Sequence, residues 1–196
     1  MTADPMNEPR IPPLPPDQWS DEVRQGIAVL RPPGAQQELR RAKGGPKGLN
    51  VLGTLAQHPD LMHAYHSFNG HILYTTTLTP RQRELLVLRV ATRRAAEYEW
   101  QQHVHLARGA GLTDDDITRV AEGPAAEGWS PVDAAMLRAV DELIDDALIT
   151  DATWAVLADE LDRRQLMDLV FTVGAYDLLA MAFRSFGVEL DEDLAP

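Results

Sequence analysis

The chain has 196 residues, 44% of them hydrophobic, with 30 acidic side chains against 18 Lys and Arg, a net charge of -12, and no cysteine. That length suits one domain whose core needs no covalent staples. The lack of sulfur excludes disulfides, thiolate catalysis, thiol peroxidase chemistry and thiolate-held zinc, and the negative charge, with no localised basic stripe, excludes a nucleic-acid backbone as partner.

No run of 18 apolar residues predicts a membrane span, and the N-terminus lacks the basic and apolar regions of a secretory signal, so a cytoplasmic protein with no membrane partner is expected. Pro5, Pro9, Pro12, Pro13, Pro15 and Pro16 predict an extended arm over 1–16, laid across a surface or another subunit. A single helical domain over 17–190 and an acidic tail over 191–196 follow, and the residues after Gly187 are expected to fray.

Val23, Ile27 and Leu30 set the inward side of a first helix over 17–30. Two breakers, 31–34 and 43–46, enclose a polar loop that spans 31–49. A short helix over 50–57, carrying Val51, Leu52 and Leu55, closes before His58. Pro59 then opens a longer one through Tyr74, in which Gly70 marks a weak point or a close approach. His58, His63, His66 and His71 lie here without acids in ligand spacing, and they read as polar residues of helix surfaces.

Residues 78–111 organise the chain as a helical hairpin. Thr79 is the expected N-cap, Pro80 the first helical residue, and Gln82 closes a capping box. Leu85, Leu86, Leu88 and Val90 form the apolar stripe, and Arg81, Arg83, Arg89 and Arg93 are expected on the wetter side. The second helix starts near Ala95 or Ala96, ends at Gly109 or Gly111, and packs through Ala96, Trp100, Val104 and Ala107.

Beyond it, Thr113 and Asp116 cap a short acidic helix, Ser130 and Pro131 start one through Met136, Leu137, Val140, Leu143 and Ile144, and Thr150 starts another through Trp154 and Leu157. The last helix, 163–183, is so apolar that it is either central to a bundle or shared with a second subunit. Gly174 would let another backbone approach it, and Tyr176 and Asp177 need partners there. With no alternating strand, dinucleotide fingerprint, phosphate loop or nucleophile elbow, the expectation is an all-α chain of seven or eight helices.

The chemistry is concentrated in the hairpin. Glu99 and His103 are four residues apart and share a face, whereas His105 points about 200° away. If the two helices fold back on one another, Glu84 approaches that face and gives two carboxyls around one imidazole. Such a cluster can fix a tautomer and relay a proton near neutral pH. An exposed pair at this spacing is worth only a few tenths of a kcal/mol, about what any helix surface offers, so spacing alone leaves a structural pair and a catalytic one open.

The segments 78–91 (Leu-Thr-Pro-Arg-Gln-Arg-Glu-Leu-Leu-Val-Leu-Arg-Val-Ala) and 97–113 (Glu-Tyr-Glu-Trp-Gln-Gln-His-Val-His-Leu-Ala-Arg-Gly-Ala-Gly-Leu-Thr) resemble the carboxymuconolactone decarboxylase and AhpD-like family. Looser likeness covers 50–59 and 168–187. The resemblance implies an AhpD-like all-helical bundle around a central hairpin, assembled as a dimer, trimer or hexamer. The family's peroxidase branch carries Cys-x-x-Cys-x-x-x-His on the second hairpin helix and a relay glutamate on the first. Counting back from Gly111 puts that histidine at His103, the two cysteines at Glu99 and Ala96, and the relay acid at Glu84.

Both proton-handling residues are therefore kept while both sulfurs are gone. The resemblance implies His103, Glu84 and Glu99 as catalytic residues of a lyase that needs no cofactor and no metal, acting by proton transfer on a small lactone or carbonyl acid. Ionised glutamates would repel such a substrate unless one is protonated or an arginine such as Arg89 or Arg93 is near. A related isomerase or hydrolase, and a non-catalytic binding or scaffold protein on the same frame, are the alternatives.

Overall fold

The computed structural model describes residues 9–30 and 47–194, and among them the chain is all α. A short 3-10 turn, Pro16–Gln18, precedes α1 (Asp21–Val29), α2 (Leu49–Leu55) and α3 (Pro59–Gly70), which runs on into a π-helical turn, His71–Thr75. Then come α4 (Pro80–Arg94), α5 (Glu97–Gly109), α6 (Asp114–Glu122), α7 (Pro131–Asp146), α8 (Asp151–Glu160) and α9 (Arg163–Phe186), nine α-helices among the described residues where seven or eight were expected of the chain. Most of the expected loop, 31–46, and the first eight residues of the arm lie outside the described residues.

Side-chain caps fix most helix starts. The hydroxyls of Ser20, Thr79, Thr113, Ser130 and Thr150 each accept the amide three residues on, and Gln82 and Asp116 answer back to complete two capping boxes. Helix ends are less conventional: Ala95 and Ala147 terminate α4 and α7 in the left-handed region, at φ 49° and 55°. A residue with a β-carbon is strained there by roughly 1 kcal/mol or more, and at Ala95 that strain serves the tight turn of the hairpin.

The chain forms two compact units. One comprises the described residues up to Thr75 together with those from Met181. Here α1 packs on α3, and Val23, Ala56 and Met62 make a core flanked by Leu14, Trp19, Ile27, Leu52 and Leu55. The described part of the arm is held through its backbone. Leu14 N donates to Gly53 O at 3.0 Å, Gln57 Nε2 to Pro12 O at 2.8 Å and Trp19 Nε1 to Leu14 O at 2.9 Å. A β-carbon on Gly53 would stand 2.5 Å from Leu14 O and 2.8 Å from Pro13 Cβ, so the approach requires glycine. Gly53→Val is expected to cost about 1–3 kcal/mol by overpacking and to release the arm, read as faster limited proteolysis before residue 20.

The expected fraying after Gly187 is corrected. Asp191 is buried, its Oδ1 accepts from Asn50 N at 2.8 Å, and the Asn50 side chain donates to the carbonyls of Glu189 and Leu190. An acidic tail docks because the start of α2 presents free amides to it. His66 is a second correction. Rather than lying on a surface it is 3% exposed and its Nδ1 meets Gly26 O at 2.9 Å, pinning α3 to α1.

Burial, with His63 nearby, pulls the His66 pKa below the usual value. The stability this neutral ring contributes is therefore complete above the ordinary histidine pKa and falls away as pH drops through the folded one. His66→Gln is expected to flatten that acid limb in urea unfolding followed between pH 7 and pH 5.

The other unit, Thr76–Ala180, carries α4 as its central rod, with every residue from Arg83 to Ala91 buried. Leu85, Leu88, Ala107, Leu112, Ile117, Val120 and Leu137 form its core, with Trp100, Val104, Ala110 and Trp129 against it. The expected wet side of α4 is overturned at Arg83 and Arg89, which are buried because they find counter-charges. Arg89 reaches both oxygens of Asp141 at 2.8 Å and the carbonyls of Val120 and Ala121; Arg93 pairs with Asp141 and Asp145.

In α9, Asp168 takes the amide and hydroxyl of Thr77, and Asp177 forms a bidentate pair with Arg94. This helix is long and apolar enough to cross a membrane by length and composition, contrary to the expectation that no such run exists, but 56% of its most apolar window is buried within the protein. Among the described residues nothing lies within 4 Å of a β-carbon placed on Gly174, so none of their backbone approaches there.

Candidate functional site

The capped start of α4 and the left-handed turn at Ala95 bring α5 back along α4, so that Glu84 and His103 face each other. His103 Nδ1 lies 2.7 Å from Glu84 Oε2, and Arg83 donates from Nε and Nη2 to Glu84 Oε1 at 2.9 and 2.8 Å. All three side chains are buried, Glu84 completely.

Burial alone would push the Glu84 carboxyl up, but the adjacent His103 and Arg83 outweigh it and hold the group below the usual carboxylate range. Glu84 is thus the anion of an Arg83–Glu84–His103 chain. With Nδ1 facing the carboxylate, a proton on that nitrogen points at Glu84 and Nε2 is the other polar atom of the ring. The Tyr176 ring from α9 meets the imidazole edge-on at 4.9 Å between centroids and limits how it can turn.

Glu99 sits one turn of α5 before His103. It is 1% exposed, and neither carboxyl oxygen has a hydrogen-bond partner among the described residues. Burial, and secondarily the negative charge of Asp177, push its pKa well above the usual value. Burial therefore favours the neutral form of Glu99, which can donate as well as accept. A buried polar group without a partner costs about 1–3 kcal/mol, a burden that a bound molecule would relieve.

The two glutamates respond to pH in opposite senses. For Glu84, lowered when folded, the contributed stability is present above the unfolded carboxyl pKa and lost as pH falls. For Glu99, raised when folded, it is present below the unfolded pKa and lost as pH rises toward the folded one. Glu99→Gln is therefore expected to leave stability at pH 4 nearly unchanged and to raise it at pH 7 and above, as urea midpoints would show.

The structure thus brings Glu84 into contact with His103 and buries Glu99 on the same helix face as the imidazole. His105 stays outside this arrangement, half-buried. Arg83, Tyr176 and Asp177 belong to the site's surroundings. Arg83 was obscured by its charge, whereas Tyr176 and Asp177 were already conspicuous as polar groups in an apolar helix. Arg89 and Arg93 are committed to aspartates of α7 and do not face the pair. Among the described residues no group of three or more His, Asp or Glu side chains is arranged to hold a metal ion.

Residues 59–142 match the carboxymuconolactone decarboxylase family. The match spans less than half of the chain. It contains Glu84, Glu99 and His103, while α9 lies beyond it. No curated protein matches the chain by sequence. Among solved structures, the alkylhydroperoxidase AhpD core of an uncharacterised peroxidase-related protein from Ralstonia eutropha JMP134 is 19% identical, with 94% of each chain covered and a TM-score of 0.73.

A peroxidase-related protein from Silicibacter sp. TM1040 is 16% identical, covering 96% of this chain and 97% of that one at a TM-score of 0.73. The debrominase Bmp8, in a complex with 2,3,4-tribromopyrrole, is 13% identical, with 93% and 92% covered and a TM-score of 0.72. At these identities the likeness is one of fold: the protein is an AhpD-like helical bundle. With no cysteine in its sequence, this AhpD-like bundle carries no thiol for disulfide exchange.

Proposed function

We propose that the protein is a lyase of the carboxymuconolactone decarboxylase kind, moving a proton on a small lactone or carbonyl acid. The observation that carries this reading is the buried 2.7 Å hydrogen bond between Glu84 and His103. An ionised carboxylate fixes the imidazole tautomer, leaving Nε2 to exchange the proton. In decarboxylation the bond to the departing carboxylate breaks, its electron pair passes into the neighbouring carbonyl as an enolate, and CO2 leaves. The imidazolium Nε2–H then protonates the carbon, and solvent restores the proton to His103.

The neutral state of Glu99 supports an acidic substrate, because only one of the two glutamates then repels it. The test is to screen the purified protein against small lactones and β-keto acids for CO2 release and ring opening, beside His103→Ala. Turnover that the variant keeps would remove His103 from the chemistry. Binding without turnover by the native protein would favour the second reading, a ligand-binding scaffold, which the missing cysteines favour.

The protein is read as a cytoplasmic homo-oligomer. Met167, Phe171 and Leu178 are each more than half exposed and, with Gly174, repeat at alternating steps of four and three residues along α9, the spacing of a helix seam. Because Gly174 is open within the chain, Gly174→Leu is expected to leave the helical signal and melting of the single chain nearly unchanged. In light scattering it would shift the protein from oligomer to monomer; an unshifted mass would place the subunit contact elsewhere.

A further inference from the structure

One side of α9 is left uncovered by the fold. Between Met167 and Met181 the exposed positions of this helix are 167, 171, 174, 178 and 181, which carry Met, Phe, Gly, Leu and Met. Steps of four, three, four and three residues set them in one line along the helix, and over about four turns no polar side chain interrupts it. The four large side chains are each more than half exposed, and the β-carbon position of Gly174 is open among the described residues.

This line is not a wall of the proton-transfer site. Tyr176, whose ring meets His103, lies two residues beyond Gly174 and so about 200° round the helix. Leu169, Val173, Tyr176 and Ala180 are buried on that inner side. The helix therefore turns one side to the imidazole and the opposite side outward. At roughly 100 Å² of open apolar surface for each of the four side chains, one copy presents about 400 Å² and a pair of copies about 800 Å². Homodimer contacts are about 65% apolar at their core, so the stripe supplies the apolar share of a contact of about 1,200 Å², the size at which stable interfaces begin.

The order of the side chains selects the occupant and its direction. Met167 and Met181 flank Gly174 at equal distances in sequence, and Phe171 and Leu178 flank it more closely, so the line reads nearly the same from either end. A twofold contact needs such a self-complementary surface. Laid antiparallel, a second copy sets Met167 against the partner's Met181 and Phe171 against the partner's Leu178. Large layers then stand on both sides of a centre where glycine lets the two backbones close. A parallel pair would meet Phe with Phe on one side of that centre only, and it would align the two helix dipoles instead of opposing them.

We infer that the stripe is covered by a second copy of this chain, with two α9 helices crossing antiparallel about Gly174 on a twofold axis. The inference rests on the homo-oligomer reading and adds to it the direction of the contact and its residue pairs.

The test uses the absence of cysteine, because introduced thiols then report this contact without background. Phe171→Cys and Leu178→Cys are oxidised singly and co-expressed, and covalent dimers are counted on non-reducing gels. In the antiparallel pair two copies of residue 171 stand about 10 Å apart along the axis, beyond the roughly 7 Å between α-carbons that a disulfide spans. The co-expressed variants should cross-link roughly tenfold faster than either alone, since only there do the thiols fall within that reach. Met167→Cys with Met181→Cys is the second pair, at the ends of the line, and leaves its centre intact. Circular dichroism confirms that each variant is helical.

Self-linking of the single variants at the rate of the mixture would mean a parallel contact and would overturn the inference. Absence of cross-links from both pairs would overturn it too. The oligomer itself is judged separately, from the mass of the native protein in light scattering. A native dimer or larger assembly that neither pair cross-links would keep the oligomer and lose this contact, whereas a native monomer would lose both.

Discussion

His103→Ala is expected to lower turnover on the true substrate by roughly 10²–10⁴-fold, the usual weight of a positioned acid or base, with the Michaelis constant changed only a few fold. The ring is tied through Nδ1 to an ionised carboxylate, and Nε2 is the nitrogen proposed to exchange the proton. Helicity should stay near native, because Leu85, Leu88 and Ala107 supply the hairpin contact independently of the imidazole. Removing the ring also leaves a space of its own shape, so added imidazole should recover part of the lost rate. A residue that merely filled volume would show a lower melting temperature and no such rescue; rescue by imidazole, absent with an isosteric hydrocarbon, checks the assignment.

How much of this was legible in the sequence follows from which forces are local. Thr79, Pro80 and Gln82 announce the start of α4 because a capping box is satisfied within four residues. The four-residue spacing of Glu99 and His103 puts them on one face by helix geometry alone. Which charges are buried is not local. Arg83 and Arg89 looked wet because arginine usually is, and their burial depends on Glu84 beside one and on Asp141, more than fifty residues away, for the other. His66 was misjudged for the same reason, since its partner is a carbonyl forty residues earlier on α1.

The docked tail could not be foreseen from its composition, because Asp191 is held by an amide across 141 residues of chain. Sequence therefore located the Glu84–His103 pair and the hairpin, and three-dimensional pairing decided which neighbouring charges could reach them.

The largest loss of stability should come from Glu84→Ala, about 3–5 kcal/mol, the range seen when one member of a buried ion pair is removed. Such a loss is a large share of the 5–15 kcal/mol that typically separates folded from unfolded chains. The charge lies inside α4 with no exposed surface, and its removal deprives both Arg83 and His103 of this carboxylate at once. Glu84→Gln keeps the volume and one acceptor oxygen but not the charge, so it should fall between native and alanine.

Arg83→Met and the double variant complete a cycle. If the chain Arg83–Glu84–His103 acts as a unit, the double variant should be less destabilised than the two single losses added together, by 0.5–3 kcal/mol, roughly the coupling of directly paired groups. Urea midpoints with unchanged slopes would report this as stability rather than altered compactness. Additive losses would mean that Arg83 and Glu84 are buried for separate reasons, and that the arginine does not set the charge state of the carboxylate on which the imidazole depends.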